Sequence, residues 1–296
     1  MKSQNTEIKN YKLGIYEKAI NSKFDWIDKF NIAKEAGFDF IEISIDESDQ
    51  RLERLYWSNE RINNLHSIMV ESGMYINSMC LSANRRYPLG SKDPEIRKKG
   101  LDVIQRAMVF AKKLGIRIIQ LAGYDEYYQP SDDETKKMFI NNMRIVCSLA
   151  QFYSIQIAFE SMDTFFMGNL TRMLNIINLL DSPMLGAYPD IGNLTQFAKE
   201  NFDSEIELAR NKIVAFHFKD TTSTTFKNIP FGEGTVDFVK SFISIFKINY
   251  CGPFMIEMWN KNSETQTMDE NINEIKEAKN FFENKYKEAL DEFKKY

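Results

Sequence analysis

Residues 155–163, IQIAFESMD, combine a short apolar run with acidic residues at its carboxyl end. Three downstream segments repeat this pattern: LGAYPDIGN (185–193), IVAFHFKD (213–220) and FMIEMWN (254–260). Four apolar or β-branched runs precede them: LGIY (13–16), FIEISID (40–46), YINSMCLS (75–82) and IRIIQLAG (116–123). Runs of this length, bounded by polar or glycine residues, predict β-strands. The sequence therefore predicts eight strands.

The stretches between these runs have apolar residues three and four positions apart, as at Ile104, Met108, Ala111 and Leu114. That spacing is typical of amphipathic helices. Three of the helices are expected to end at glycines, which terminate helices readily: Gly37, Gly73 and Gly115. Eight strands that alternate with helices predict the α/β class and a TIM (β/α)8 barrel.

The domain organisation follows from the same series. We predict one barrel domain over residues 1–296, with residues 1–10 as a polar N-terminal extension and a C-terminal helix over about 270–296. The alternative fold is an open, doubly wound sheet. That fold is disfavoured because YEKAINSK (16–23) stands where a Gly-x-Gly-x-x-Gly turn would follow the first strand.

Composition limits the classes of partner. The chain has 38 Lys and Arg against 42 Asp and Glu, a net charge of −4, and the two signs are interspersed. Nucleic acid is therefore not an expected partner.

The three cysteines lack C-x-x-C spacing, which fits a cytoplasmic protein without a disulfide framework. No run approaches the roughly 18 apolar residues of a membrane span, so no membrane partner is expected. A homodimer is compatible with the sequence.

Four candidate metal ligands follow or end the last four strands: Glu160, Asp190, His217 and Glu257. In a barrel, the carboxyl ends of the strands converge on one mouth. Burying three carboxylates and an imidazole costs several kcal/mol unless a cation compensates the charge. Each residue alone could be an ordinary buried polar group, but the set predicts one divalent metal ion. Oxygen and nitrogen ligands suit Mn²⁺ or Zn²⁺.

Several segments carry a resemblance to known proteins: LGIYEKA, FDFIEIS, CLSANRRYPLGS, IQLAGYDEYYQ, YPDIGNL, FHFKDT, IPFGEGTVDF and CGPFMIEMW. Over about residues 11–285 they resemble the xylose-isomerase-like barrel family. Within it, they are similar to the L-ribulose-5-phosphate 3-epimerases, also called L-xylulose-5-phosphate 3-epimerases, of L-ascorbate catabolism. The resemblance implies a metal-dependent 3-epimerase of a ketose phosphate, with the four residues above as metal ligands.

One position departs from the family pattern. A histidine usually stands between the alanine and the paired arginines of LSANRRYPLGS, whereas this chain has Asn84. Asparagine can hydrogen-bond a sugar hydroxyl but cannot exchange a proton near neutral pH. We therefore expect Asn84 to bind substrate without carrying a proton.

The implied reaction removes a proton next to a carbonyl and returns one to the opposite face. Two carboxylates can exchange the roles of base and acid, and we expect Glu160 and Glu257 to do so. Three cationic residues near strand ends are expected to bind the substrate phosphate: Arg85, Arg86 and Lys219. Three more are expected to bind the rest of the substrate: Asn84, Asn193 and Trp259. The loop with Gly232 and Gly234 is a weaker candidate for binding the phosphate.

Other functions remain open on the same barrel. They include a hexulose-6-phosphate epimerase or isomerase, a free-ketose 3-epimerase, an isomerase that moves a carbonyl between C1 and C2, and a non-catalytic sugar-phosphate sensor. An endonuclease of the apurinic-site type needs a histidine-rich multi-zinc site. The chain has only two histidines, and His66 is expected on a helix face, so this function is disfavoured.

Overall fold

A computed structural model describes residues 11–295 of the chain. This part contains eight strands: β1 (Leu13–Tyr16), β2 (Phe40–Ile45), β3 (Ile76–Leu81), β4 (Ile118–Ala122), β5 (Gln156–Glu160), β6 (Leu185–Tyr188), β7 (Phe216–Phe218) and β8 (Phe254–Ile256). Its α-helices are α1 (Trp26–Glu35), α2 (Asp49–Leu52), α3 (Asn59–Ser72), α4 (Pro94–Leu114), α5 (Asp133–Tyr153), α6 (Leu170–Leu180), α7 (Ile191–Ala198), α8 (Phe202–Ala209), α9 (Phe238–Lys247) and α10 (Met268–Phe293). Short 3₁₀ helices lie at Glu17–Ala19, Glu53–Tyr56, Ala83–Arg85 and Lys199–Asn201. The predicted extension at residues 1–10 falls outside the described residues.

The strands form one parallel sheet in the order β6-β5-β4-β3-β2-β1-β8-β7. Two isolated parallel bridges, Ala187 with Ile213 and Asp190 with His217, join its two edges. The sheet is therefore a nearly closed barrel, and the predicted TIM-barrel fold is confirmed. Each predicted apolar run contains one strand.

Glycine stands at the end of all three helices for which the sequence predicts it, and Gly37, just past α1, has a φ value of 84°. Gly73 after α3 and Gly115 after α4 have φ values of 68° and 73°. These left-handed conformations are costly for residues with a Cβ atom, so glycine sets both helix ends. Each chain reversal places the next strand beside the previous one.

The core has an apolar outer layer and a polar centre. Between the barrel and the helices, the Phe218 ring stacks on Phe242 of α9 at 4.9 Å and meets Phe282 of α10 edge-on at 5.0 Å. Inside the barrel lie buried polar side chains from β2, β3 and β7, among them Glu42, Ser78 and His217. The polar centre supports the site at the mouth.

Helix α10 begins at a capping box made by Thr267 and Glu270, and it ends at Phe293. The predicted helix over about 270–296 therefore starts two residues earlier and ends sooner. No helix between residues 11 and 295 combines the length and apolar character needed to cross a bilayer.

Candidate metal centre and active site

The four predicted ligands lie together at the carboxyl ends of the strands. Glu160 is the last residue of β5, and Asp190 follows β6 by two residues. His217 lies in β7, and Glu257 follows β8 directly. One ligand atom from each residue lies within 4.8 Å of the others, and all four side chains are buried. The barrel therefore brings one imidazole and three carboxylates to a single point.

Asp190 is held in place by local hydrogen bonds. Its side chain caps α7, because Oδ1 accepts a 2.6 Å hydrogen bond from the Asn193 amide. Its own backbone amide donates to the Ser161 hydroxyl at 2.8 Å. The second carboxylate oxygen, Oδ2, is buried and has no hydrogen-bond partner among the described residues. Burial raises the pKa of Asp190 to about 7. An unpaired buried carboxylate oxygen is costly, and a bound cation would satisfy it.

The imidazole of His217 points one nitrogen at the cluster and the other into the barrel. Nδ1 lies 3.2 Å from Glu160 Oε1 and 3.6 Å from Glu257 Oε2. Nε2 lies 2.7 Å from Glu42 Oε1. Burial alone would lower the pKa of His217, but Glu42 and its other neighbours raise it well above the ordinary value. Metal binding at Nδ1 therefore competes with protonation of the ring.

Lys219 lies deeper in the site than the sequence suggests. Its Nζ is 3.0 Å from Glu257 Oε2 and 3.4 Å from Asp190 Oδ1, and the side chain is buried. Burial would lower the pKa of Lys219, but Asp190 and Glu257 raise it. The ammonium is thus already paired with two candidate metal ligands. The phosphate contact expected of Lys219 stays a prediction, and any such contact would share the ammonium with these two carboxylates.

The two candidate acid–base glutamates differ in their partners. Glu160 accepts a hydrogen bond from the Gln120 side-chain amide. Burial would raise the pKa of Glu257, but Lys219, followed by His217, holds it below its usual range. Both carboxylates approach Nδ1 of His217, so they face the same point from β5 and β8.

The charge and donor atoms of the cluster fit a divalent cation. Three carboxylates and one ammonium leave two negative charges when the imidazole is neutral. The donor set is three oxygens and one nitrogen, which suits Zn²⁺ or Mn²⁺. Together with the unpaired Asp190 oxygen, these features make the cluster a suitable metal site.

A cavity opens above the cluster. Four of the six predicted substrate-binding residues line it, namely Arg85, Asn193, Lys219 and Trp259, whereas Asn84 and Arg86 are not in its lining. The sequence interpretation missed several other lining residues: Tyr16, Lys18, Asp163, Phe226 and Lys227. Lys18 lies two residues after β1 and Asp163 lies three residues after β5, so their positions after strands were available as a signal.

The paired arginines separate. Arg85 lies over the rings of Tyr124 and Tyr127, at 5.5 and 5.1 Å, and lines the cavity. Arg86 is partly exposed and pairs with Asp49 at 2.5 Å. The structure therefore places Arg85 at the site, whereas Arg86 pairs with the first residue of α2, outside the cavity lining.

Asn84 is buried in the 3₁₀ helix after β3, next in sequence to Arg85 of the cavity lining. Its Nδ2 donates to the Ala122 carbonyl at 2.6 Å, while its Oδ1 has no partner among the described residues. One acceptor therefore remains for a ligand hydroxyl. Asn193 is similar, because its Nδ2 donates to the Ser161 carbonyl at 2.7 Å and its Oδ1 is unpaired within residues 11–295.

The glycine loop uses its amides internally. The N–H groups of Gly232 and Gly234 both donate to Oδ2 of Asp220, at 2.8 and 3.0 Å. A Cβ atom at Gly234 would lie 2.0 Å from the same carboxylate, so glycine is required there. The expected phosphate-binding role of these two amides does not fit this arrangement, because a protein carboxylate already occupies them.

Two further polar residues inside the barrel, Glu42 and Gln120, contact candidate ligands and were missed by sequence interpretation. Both interrupt otherwise apolar strands, in FIEISI and IIQLA. A polar residue in such a strand must find a partner when buried. That pattern is the signal that could have identified them.

The comparisons with known proteins agree with this geometry. The profile of the Xylose isomerase-like TIM barrel family matches residues 30–285. The chain belongs to this family. One xylose isomerase-like relative, the probable L-ribulose-5-phosphate 3-epimerase UlaE of Mycoplasma pneumoniae, is 52% identical over 95% of this chain and 92% of its own length. The L-ribulose-5-phosphate 3-epimerase UlaE of Escherichia coli is 44% identical over 86% of this chain and 90% of its own.

A solved structure of the xylose isomerase-like fold gives the same architecture. An L-ribulose 3-epimerase superposes with a TM-score of 0.78 over 95% of this chain and 96% of the other, at 15% identity. At that identity, the likeness bears on the fold alone. The relationship to the curated relatives makes this chain an isomerase of the epimerase type, as the sequence resemblance implies.

Proposed function

We propose that this protein is a metal-dependent 3-epimerase that interconverts L-ribulose 5-phosphate and L-xylulose 5-phosphate. The observation that carries the proposal is the buried convergence of Glu160, Asp190, His217 and Glu257 beneath a cavity lined by cations. The names of the two curated relatives support the substrate. A place in L-ascorbate catabolism stays a prediction from the resemblance.

The proposed reaction breaks the C3–H bond of the ketose. One of Glu160 and Glu257 takes the proton, and the bond electrons move toward the C2 carbonyl to give an enediolate. The other glutamate returns a proton to the opposite face of C3, which inverts the centre. A bound divalent cation would supply electrostatic stabilisation for the negative charge on the substrate oxygens. The predicted identity of the ion is zinc or manganese.

The ligand-binding groups around the two glutamates have separate roles in this proposal. Lys219 donates a hydrogen bond to Glu257 at 3.0 Å and favours its ionised form, the form in which a carboxylate can accept a proton. The unpaired amide oxygens of Asn84 and Asn193 accept hydrogen bonds from sugar hydroxyls. Trp259 lines the cavity and covers one side of the sugar.

The phosphate is proposed to bind between Arg85 and Lys227, which line the same cavity, whereas Lys18 in the same lining pairs with Asp46 at 2.5 Å. Burial and the nearby charge of Arg85 lower the pKa of Lys227. An anion between these two cations would relieve their repulsion. Charge-assisted contacts of this kind contribute about 1.5–3 kcal/mol each, which favours phosphorylated over free ketoses.

Proton exchange in heavy water tests the proposal. The metal-loaded protein is incubated with L-ribulose 5-phosphate in D₂O, and the products are followed by NMR. We expect deuterium at C3 and formation of L-xylulose 5-phosphate. Deuterium at C1 would instead indicate movement of the carbonyl, and an unlabelled substrate would indicate a sensor. Equal efficiency on free L-ribulose would place the chain among free-ketose epimerases.

A further inference from the structure

Glu42 is a fully buried carboxylate that the proposed reaction does not use. It lies in β2, inside the barrel, with no solvent exposure. Its Oε1 is 2.7 Å from Nε2 of His217. Its Oε2 accepts hydrogen bonds from the Ser78 hydroxyl at 2.6 Å and the Tyr188 hydroxyl at 3.1 Å. Both oxygens of the carboxylate are therefore engaged.

The surrounding strands fix the direction of this carboxylate. Glu42 pairs in register with Ser78 of β3, so the hydroxyl donor is a direct cross-strand neighbour. Tyr188 comes from β6 across the barrel, and its ring meets the His217 ring edge-on at 4.7 Å. The two hydroxyls hold Oε2, and Oε1 is left facing His217.

This contact decides which nitrogen of His217 carries a proton. A metal ligand needs a free lone pair, and Nδ1 is the nitrogen that faces Glu160 and Glu257. The remaining proton of a neutral imidazole must then lie on Nε2. An ionised carboxylate can only accept hydrogen bonds, so Glu42 matches that tautomer and opposes the alternative.

We propose that Glu42 is a positioning residue that holds His217 as the Nε2–H tautomer and thereby raises the affinity of the site for a divalent metal. Carboxylates that accept a proton from a ligating histidine commonly orient the ring and increase its basicity. The inference rests on the metal site of the proposed function but does not depend on the substrate or on C3 chemistry.

The histidine content of the chain makes the tautomer directly measurable. His217 and His66 are its two histidines, and His66 is exposed on α3. In protein labelled with ¹⁵N-histidine and loaded with Zn²⁺, long-range ¹H–¹⁵N spectra report the ring nitrogens, and His66→Gln assigns them. We expect the His217 proton on Nε2 and the zinc-bound signal at Nδ1. A proton on Nδ1, or zinc on Nε2, would overturn the inference.

Zinc affinity of Glu42→Gln provides the second measurement. Glutamine keeps the size of the side chain but removes its charge, and we expect zinc affinity to fall roughly 10–100-fold in competition with a chromogenic chelator. Glu205→Gln is the matched control, because Glu205 is also buried but binds Thr171 at the start of α6. The control should bind zinc like the wild type.

An affinity of Glu42→Gln within about twofold of the control would contradict the positioning role, on the scale expected for such partners. If this variant does not fold, the wild-type tautomer decides the question. Failure of the epimerase assay with the expected tautomer and affinity would remove the proposed function and leave this inference standing. Normal epimerisation with the His217 proton on Nδ1 would overturn this inference and leave the proposed function standing.

Discussion

Two buried groups of charged side chains at the carboxyl end of the barrel differ in their balance of charge. Glu17, directly after β1, is paired with Arg54 at 2.6 Å, Arg51 at 2.9 Å and Lys29 at 3.2 Å. It also accepts a hydrogen bond from the Ser44 amide at 2.9 Å. One carboxylate there meets three cations. In the metal centre, three carboxylates meet one ammonium, and an oxygen of Asp190 stays unpaired within the described chain.

The comparison shows how burial of acidic residues can serve stability or function. The carboxylate of Glu17 is compensated by the protein itself, so its role is to connect the loops after β1 and β2. The three carboxylates of the metal centre are only partly compensated, because Lys219 is the one ammonium paired with them and Asp190 Oδ2 has no partner among the described residues, which leaves a place for an external cation. A deficit of positive charge, rather than burial alone, distinguishes the candidate site.

The largest effect on stability is expected from Glu17→Gln. Loss of the charge removes the carboxylate partner of Arg54 and Lys29 and leaves Arg51 only Asp46 at 3.5 Å, and breaking a buried ion pair costs roughly 3–5 kcal/mol. Urea unfolding should show this loss, with zinc binding retained. The exposed pair of Glu53 with Arg61 gives the control, since Glu53→Gln should cost at most about 1 kcal/mol. Similar losses in both variants would contradict the distinction.

The stability difference between the wild type and Glu17→Gln should depend on pH. Burial would raise the pKa of Glu17, but Arg54, Lys29 and Arg51 hold it well below its usual range. A depressed folded pKa stabilises the protein above the unfolded value, about 4.3, and this contribution is lost as pH falls toward the folded value. The difference in unfolding free energy between wild type and Glu17→Gln should therefore shrink below about pH 4. If the difference in unfolding free energy stays constant down to pH 2.5, the charge of Glu17 is not the cause of that difference.

For the metal centre, Glu257→Gln should reduce turnover while preserving the fold. The loss of a positioned acid or base lowers the rate by roughly 10² or more. Turnover with L-ribulose 5-phosphate and zinc content are measured on the same samples, because Glu257 is also a candidate ligand. Glu264→Gln, at an exposed glutamate after β8, is the control. Full activity in zinc-loaded Glu257→Gln would exclude Glu257 as the proton carrier.

A smaller effect should separate the two neighbouring arginines. Arg85 lines the cavity, whereas Arg86 pairs with Asp49 outside the cavity lining. We expect Arg85→Ala to reduce the preference for L-ribulose 5-phosphate over free L-ribulose about 10-fold, or ~1.4 kcal/mol. The ratio of kcat/KM values should be unchanged in Arg86→Ala. An effect of Arg86→Ala as large as that of Arg85→Ala would mean that Arg86 also binds the phosphate.

The sequence predicted the barrel well because its signals are local. Apolar runs, helical spacing and glycines such as Gly73 and Gly115 each act within a few residues, and strand ends in a barrel must converge. The positions of Glu160, Asp190, His217 and Glu257 follow from that convergence. No partner had to be known in advance.

What could not be predicted depends on contacts between distant segments. Lys219 turns toward Asp190 and Glu257, and Asp220 accepts hydrogen bonds from the amides of Gly232 and Gly234. Glu42 reaches His217 across the barrel. Side-chain direction and competition between partners decide these contacts, and strand position does not determine them.

The most direct test of the central claim is the zinc content of three proteins after equilibration with zinc and dialysis. The wild type and Glu17→Gln should each retain about one zinc ion per chain, as expected of a closed four-ligand set. Asp190→Asn should lose most of it, because the unpaired carboxylate charge is removed while the side chain can still cap α7. Equal zinc content in Asp190→Asn and the wild type, or none in the wild type, would contradict the account.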